Sequence, residues 1–263
     1  MDSPTPLTPE LTLALARGDI ASARILELLR RGSIPDLNEQ ARWILAQESF
    51  KSIDPDCLAM KARALKLAPR DECVVIRGES GTGKELVASI LHGPRKGNLV
   101  AVNMTAVTDT LFESELFGHT RGAFTGAVDN RAGLISHAND GTLFFDEIAD
   151  MPITLQPKLL RVIQTRRYRV VGSNIEQPVR CRIIAATHGD LERLVAKGRF
   201  RSDLYYRLAT FELNIKPLRE RRPDVELFTK DEELLALLKT HEFPGNVREL
   251  ESVIRRWELF REL

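Results

Sequence analysis

CVVIRGESGTGKE, residues 73–85, joins a short apolar run to a glycine-rich turn and a lysine. Cys73, Val74, Val75 and Ile76 are continuous and largely β-branched, the composition of a strand buried on both faces of a parallel sheet. Gly78, Gly81 and Gly83 let the backbone take positive φ and turn its N–H groups onto an anion, while Lys84 brings a charge to the outer phosphates. Glu85–His92, ELVASILH, continues as a helix whose N-terminus points unpaired N–H groups and a positive dipole end at the same phosphates. Strand, phosphate cradle and helix in this order predict an α/β fold.

A strict P-loop carries Ser or Thr after the lysine as a magnesium ligand, and Glu85 stands there instead. A strand-to-helix turn that binds nothing is the alternative reading of such a motif alone. The segments on either side decide between them.

The bulk properties narrow the partners. At 263 residues the chain is long enough for one substantial core and a smaller appendage, and 43% hydrophobic residues is ordinary for a globular protein. A net charge of +1 gives no global attraction to nucleic acid or acidic membranes. Cys57, Cys73 and Cys181 are odd in number, share no metal-ligand spacing and read as buried thiols of a reducing compartment. MDSPTPLTPE has neither the basic nor the apolar region of a secretory leader, and no apolar run is long enough to span a bilayer, so the cytoplasm is the expected location.

Before the cradle the chain reads as helical. Thr8 and Pro9 open a helix to Ala16, Asp19 caps a second carrying Ile25, Leu28 and Leu29, and a third spans Asn38–Ala46; a helix over Asp56–Leu67 leads into the cradle strand. After the cradle, Leu99–Val102 is an apolar strand ending at Asn103, where a polar tip faces a ligand at the carboxyl edge of the sheet. Leu111–Ala127, LFESELFGHTRGAFTGA, begins as a short amphipathic helix and then breaks at Gly118, Gly122 and Gly126. Phe124 in this polar loop is either a contact device or an aromatic folded back onto the domain.

GTLFFDEI, residues 141–148, is a strand ending in Asp146 and Glu147. Downstream of a phosphate cradle, the aspartate reads as the holder of a magnesium ion and the glutamate as the group that orients and polarises a water. Thr154 is expected to cap a helix to Gln164 that tolerates Pro157 in its first turn. The arginines of Arg166–Arg182 suit a solvated hairpin, with nucleic-acid contact as the alternative. CRIIAAT, residues 181–187, is the fourth strand, with His188 at its tip as a γ-phosphate sensor facing Glu147, and Asp190–Ala196 is a short helix. Arg201 and Arg207 flank a further helical turn and are either surface charges or arginines reaching a neighbouring subunit's site. Thr210–Ile215 is a fifth strand, and Pro217 opens an all-helical tail. There Thr229 with Glu232, and Asn246 with Glu249, are expected capping boxes, and Val247, Leu250, Val253, Ile254 and Trp257 line one helix face.

GESGTGKE, ELFGHTRGAFTGA, GTLFFDEI, IIAAT, FRSDLYYRL, LRERRPD and FPGNVREL, in this order, resemble the landmarks of the AAA+ domain of bacterial enhancer-binding proteins, the activators of sigma-54 RNA polymerase. The resemblance covers about residues 50–263. It implies a parallel five-stranded sheet sandwiched by helices (50–216), a helical lid (217–263) and, apart from both, an N-terminal helical segment (1–49). It also implies that Gly78, Glu79, Ser80, Gly81, Thr82, Gly83 and Lys84, with Glu85 as the family's usual variant, bind ATP, with His188 and the lid sensor Arg248 reaching the same nucleotide. Asp146 would then hold Mg2+, Glu147 would activate water, Asn103 would couple Glu147 to the loop, and Arg201 and Arg207 would act in trans in a ring oligomer, usually a hexamer. Gly122, Ala123, Phe124, Thr125, Gly126 and Ala127 would form the loop that engages sigma-54, and ATP turnover would remodel the closed promoter complex.

The sequence departs from the pattern in three places. His188 stands where many members have asparagine, the run from Pro223 to Phe243 is short for the lid, and residues 1–49 resemble no sensor domain. No helix-turn-helix is read in the chain, so it either activates without binding an enhancer itself or belongs to something longer. Three functions are therefore distinguished: an ATP-driven sigma-54 activator, a non-catalytic regulator that binds ATP and sigma-54 or joins other rings, and a AAA+ remodeller of nucleic acid.

Overall fold

A computed structural model describes residues 39–106 and 109–262. The helices expected at Pro9–Ala16 and across Ile25–Leu29 lie outside them. In chain order the elements are α1 (Glu39–Ser49), α2 (Pro55–Leu67), β1 (Val74–Arg77), α3 (Lys84–His92), β2 (Leu99–Asn103), α4 (Asp109–Phe117), β3 (Gly118–His119), β4 (Arg131–Ala132) and α5 (Leu134–His137). They continue as β5 (Thr142–Asp146), α6 (Gln156–Thr165), β6 (Arg167–Arg169), β7 (Glu176–Pro178), β8 (Arg182–Thr187), α7 (Leu191–Ala196), α8 (Ser202–Leu208), β9 (Phe211–Asn214), α9 (Glu232–Leu238) and α10 (Asn246–Phe260).

The five expected strands form one sheet in the order β2-β5-β8-β1-β9, and every pairing in it is parallel. Strands covered on both faces must be apolar at successive positions, as the central β1, β5 and β8 are at Val74–Ile76, Leu143–Phe145 and Ile183–Ala186, whereas the edge strand β9 alternates as Phe211, Glu212, Leu213 and Asn214. Val75, Leu143, Phe145, Ile183 and Ala185 face a core shared with Phe112 and Leu116 of α4, Leu159 of α6 and Leu204 of α8. Val74, Ile76, Phe144, Ile184, Ala186 and Leu213 face the opposite core, with Cys57 and Met60 of α2 and Val87, Ile90 and Leu91 of α3. Helix α1 lies on α3, where Trp43 Nε1 donates to Ile90 O at 2.9 Å. The three cysteines are free and buried.

The tail has its own core, in which Leu218, Val225, Leu234, Leu238 and Phe243 meet Leu250, Val253, Ile254 and Trp257 of α10. Val247 leaves this expected face and lines the cleft described below.

Three caps differ from the sequence expectation. Helix α6 starts after Leu155, not Thr154: Leu155 is buried and its N–H closes a turn on Pro152 O, although Pro157 does fall in the first turn. Asp231, not Thr229, caps α9, because its carboxylate takes the Leu234 N–H at 3.0 Å while Thr229 Oγ1 accepts from Asp231 N. An anionic acceptor suits a helix N-terminus better than a hydroxyl. Gly245 caps α10, and Glu249 still reaches back to its N–H at 2.7 Å. Asn246 is instead buried at φ 55°, with its side chain committed to other segments.

Candidate functional site

Parallel register brings the strand tips together on one edge, with Asn103 opposite Asp146 and Arg77 opposite Thr187. Between this edge and the tail lies a cleft of ≈ 490 Å³, lined by the turn residues Ser80–Glu85, by Asn103, Asp146 and Glu147, and by Phe50, Arg221, Phe228 and Arg248. Gly81 and Gly83 hold φ of 75° and 104°, as the glycine turn requires. At Gly81 a Cβ would lie 2.2 Å from Gly245 O, so the turn and the N-terminus of α10 are in backbone contact.

Lys84 is 7% exposed; its Nζ donates to Gly78 O at 3.0 Å and pairs with Glu147 Oε1 at 3.0 Å. The other Glu147 oxygen accepts from His188 N at 3.0 Å and from His188 Nδ1 at 2.6 Å. Burial pushes the Glu147 carboxyl up, but the His188 N–H and the Lys84 ammonium outweigh it and hold the group below the ordinary glutamate value. Asp146 is raised instead, by burial and by the adjacent Glu147 charge. Its Oδ1 accepts from Glu147 N at 3.1 Å.

The expected coupling of Asn103 to Glu147 is not formed. Asn103 lines the cleft, but its oxygen accepts from Thr105 N and Oγ1 at 2.9 and 2.8 Å, and Lys84 and His188 take the glutamate. Arg248 Nη1 donates to Ser80 Oγ at 3.2 Å, which brings the expected lid sensor to the cradle. Arg201 and Arg207 are exposed and do not line their own cleft, and Arg201 pairs with Asp203 at 2.7 Å.

Other contacts around the cradle have no short sequence signature. Arg219 makes two bonds to Glu79, at 2.6 and 2.7 Å, and Asn246 Nδ2 donates to Ser80 O at 2.9 Å. Arg221 Nη2 donates to Thr82 O at 3.1 Å. The i, i+3 spacing of Arg221 and Asp224 in LRERRPD is the one feature from which such a pair could have been sought.

The loop Gly122–Ala127 sits on the two-residue ladder of β3 and β4 and closes on itself through Gly122 N donating to Ala127 O at 2.9 Å. Phe124 is 41% exposed, and its ring meets the His119 ring edge-on at 5.1 Å, so it folds back onto its own stem and not into the domain core. Thr125 is exposed at the loop tip. The arginine-rich stretch forms the β6–β7 hairpin, where Glu176 pairs with Arg161 and Arg169 at 2.9 and 3.0 Å. Its turn touches the loop stem, with Thr120 N donating to Val171 O at 3.0 Å, a contact the sequence did not reveal.

A parallel sheet of this order with a glycine cradle, a strand-end acid pair and a helical lid defines a P-loop NTPase of AAA+ architecture. Residues 52–214 match the Sigma-54 interaction domain, and residues 219–262 match the AAA+ ATPase lid domain. The chain belongs to the family of sigma-54-dependent transcriptional activators.

It is 47% identical over 222 residues to the response regulator protein PilR of Pseudomonas aeruginosa, covering 77% of this chain and 50% of PilR. It is 44% identical over 235 residues to the transcriptional regulatory protein GlrR of Escherichia coli, covering 82% of this chain and 52% of GlrR. The chain thus spans about half the length of the curated relatives it matches. The crystal structure of NtrX from Brucella abortus in complex with ATP superposes with a TM-score of 0.70 at 28% identity, covering 90% of this chain and 64% of NtrX. Among the described residues no helix is long and apolar enough to cross a membrane.

Proposed function

We propose that this chain is an ATP-hydrolysing module that acts in the cytoplasm on the sigma-54 factor of RNA polymerase. A ring of its copies would use the Gly122–Ala127 loop to remodel the closed promoter complex. The observation that carries the proposal is the Lys84–Glu147–His188 cluster beside the glycine cradle, in a chain that also presents that loop at its surface.

The cradle's backbone and Lys84 suit a triphosphate, and Lys84 can exchange its present carbonyl and carboxylate partners for phosphate oxygens. Phe50 and Phe228 supply apolar walls to the same cleft, and Arg248 stands at its rim. Glu147, held ionised, orients and polarises the attacking water, while His188 fixes the carboxylate's direction. A Mg2+ ion, when bound, supplies charge neutralisation to the phosphates. Asp146 would hold it: a half-buried carboxyl whose ionised form is disfavoured by burial and by Glu147 gains from a cation. Among the described residues no three His, Cys, Asp or Glu converge on a metal, which suits a cation held by one carboxylate, waters and phosphates.

Arg201 and Arg207 are exposed and do not line their own cleft, which favours action on a neighbouring copy. The test is steady-state ATP hydrolysis by the purified chain in the presence of Mg2+. Turnover that Lys84→Ala abolishes supports the motor. Nucleotide binding without turnover at any protein concentration would favour the non-catalytic regulator.

A further inference from the structure

Arg221 and Asp224 form an ion pair at 3.1 Å in which the arginine is 1% and the aspartate 0% exposed. Each nitrogen of Arg221 and each carboxylate oxygen of Asp224 has a protein partner. Arg221 Nε donates to Lys216 O at 3.1 Å and Nη2 to Thr82 O at 3.1 Å, and its guanidinium lies 5.8 Å from the centroid of the Phe50 ring. Asp224 Oδ2 also accepts from Ser52 Oγ at 2.7 Å, and Oδ1 accepts from Ile53 N at 2.7 Å. Two buried charges thus join three stretches remote in sequence: the cradle at Thr82, the lead-in at Phe50–Ile53, and the start of the lid. Buried ion pairs add little net stability over apolar residues of the same volume, because desolvation offsets their attraction. Their position is more informative than their strength.

We infer that Arg221 and Asp224 are a positioning pair that makes phosphate binding and lid closure a single equilibrium and transmits it to the lead-in segment at Ser52 and Ile53. Each guanidinium nitrogen holds a protein acceptor, and although Arg221 borders the cleft it meets the cradle at Thr82, whose neighbours Gly81 and Gly83 set the cradle's shape. Further contacts align the same lid against the same turn: Arg219 on Glu79, Asn246 and Arg248 on Ser80, and Val247 N on Gly81 O at 3.0 Å. Among the described residues, the Arg221–Asp224 pair is the tie between lid and turn that also continues by hydrogen bonds to the lead-in. The inference rests on the nucleotide reading of the cleft and adds a route by which occupancy of the cradle reaches Ser52 and Ile53, beyond Phe50, which lines the cleft itself.

The experiment compares the native chain, Lys84→Ala and the double variant Arg221→Met/Asp224→Leu. The double variant replaces the pair by apolar residues of similar size and leaves no unpaired buried charge. Binding of a fluorescent methylanthraniloyl-ATP is titrated, thermal unfolding is recorded without nucleotide, and hydrogen exchange at the Ile53 amide is followed with and without ATPγS. The inference expects the double variant to unfold near the native temperature yet bind nucleotide about tenfold or more weakly, within the usual range of coupling between sites. It also expects ATPγS to slow exchange at Ile53 in the native chain and not in the double variant. A double variant that folds and binds nucleotide as tightly as the native chain overturns the inference, while loss of binding in Lys84→Ala keeps the nucleotide reading standing. If the double variant does not fold, the native chain decides alone: slowed exchange at Ile53 supports the tie, and unchanged exchange overturns it. A native chain that binds no nucleotide overturns both.

Discussion

Glu147 stands just past β5 at φ 54°, with one oxygen on the Lys84 ammonium and the other on His188. Its acid–base state follows from this position, since the His188 backbone N–H and the Lys84 ammonium outweigh burial and hold the carboxyl below its ordinary value. Glu147→Gln preserves the shape but removes the base. It should therefore keep nucleotide binding and lower hydrolysis by about 10²–10⁴-fold, as read by coupled-enzyme turnover beside fluorescent-nucleotide titration. Equal turnover would remove Glu147 from the proposed role. The paired acids were legible in the sequence because they end an apolar strand downstream of a glycine cradle. Their partners were not, because His188 is 41 positions away and which carboxylate oxygen it meets depends on the register of β5 on β8. Asn103 shows the same limit: it reaches the cleft as expected, but a local turn to Thr105 takes its side-chain oxygen.

Helices and strands were readable to within a residue or so wherever apolar spacing was strong, as in β5, β8 and α10. Caps were less so, because several nearby residues can offer an oxygen and tertiary contacts select among them. Asp231 is the clearest case. Its carboxylate takes the Leu234 N–H, the Trp257 Nε1–H at 2.9 Å and the Arg261 guanidinium at 2.7 Å, and these hold its pKa at about 2 against an ordinary 3.8. A depressed carboxylate stabilises the fold above its unfolded value and loses that contribution as pH falls through the folded one. The lid should therefore loosen between pH 3.8 and about 2. In a Trp43→Phe background, Trp257 fluorescence should report this transition, and Asp231→Asn should flatten it; an unchanged acid transition in that variant would contradict the assignment. The loop is a second element-scale case. Phe124 is half-exposed and packs on His119 alone among aromatic partners in the described residues, so Phe124→Ala should leave the melting temperature and ATP hydrolysis near native while abolishing capture of sigma-54. A loss of stability comparable to a core Phe→Ala change, about 3–5 kcal/mol, would instead make the ring structural.

Arg201 and Arg207, both exposed, lie outside the lining of the cleft they are proposed to serve. If Arg201 acts in trans, Arg201→Ala should keep nucleotide binding and lose about 10³-fold or more in turnover, on the precedent of arginine fingers. Mixing it with Glu147→Gln should restore part of the activity, because some interfaces then combine an intact glutamate with an intact arginine. No recovery at any mixing ratio would place Arg201 outside a shared site. At this scale the sequence was informative about architecture, since strand, cradle, acid pair and lid follow one another in order, and uninformative about how the lid is fastened. Arg221 and Asp224 read as two more charges in a charged run, and only folding brings Thr82, Ser52 and Ile53 around them.

The most direct measurement is whether the purified chain captures purified sigma-54 in the presence of ADP and aluminium fluoride, beside a nucleotide-free sample and Thr125→Ala. The account predicts capture with the transition-state mimic, little without nucleotide, and none with the variant. Absence of capture in every nucleotide state, in protein that hydrolyses ATP, would contradict it.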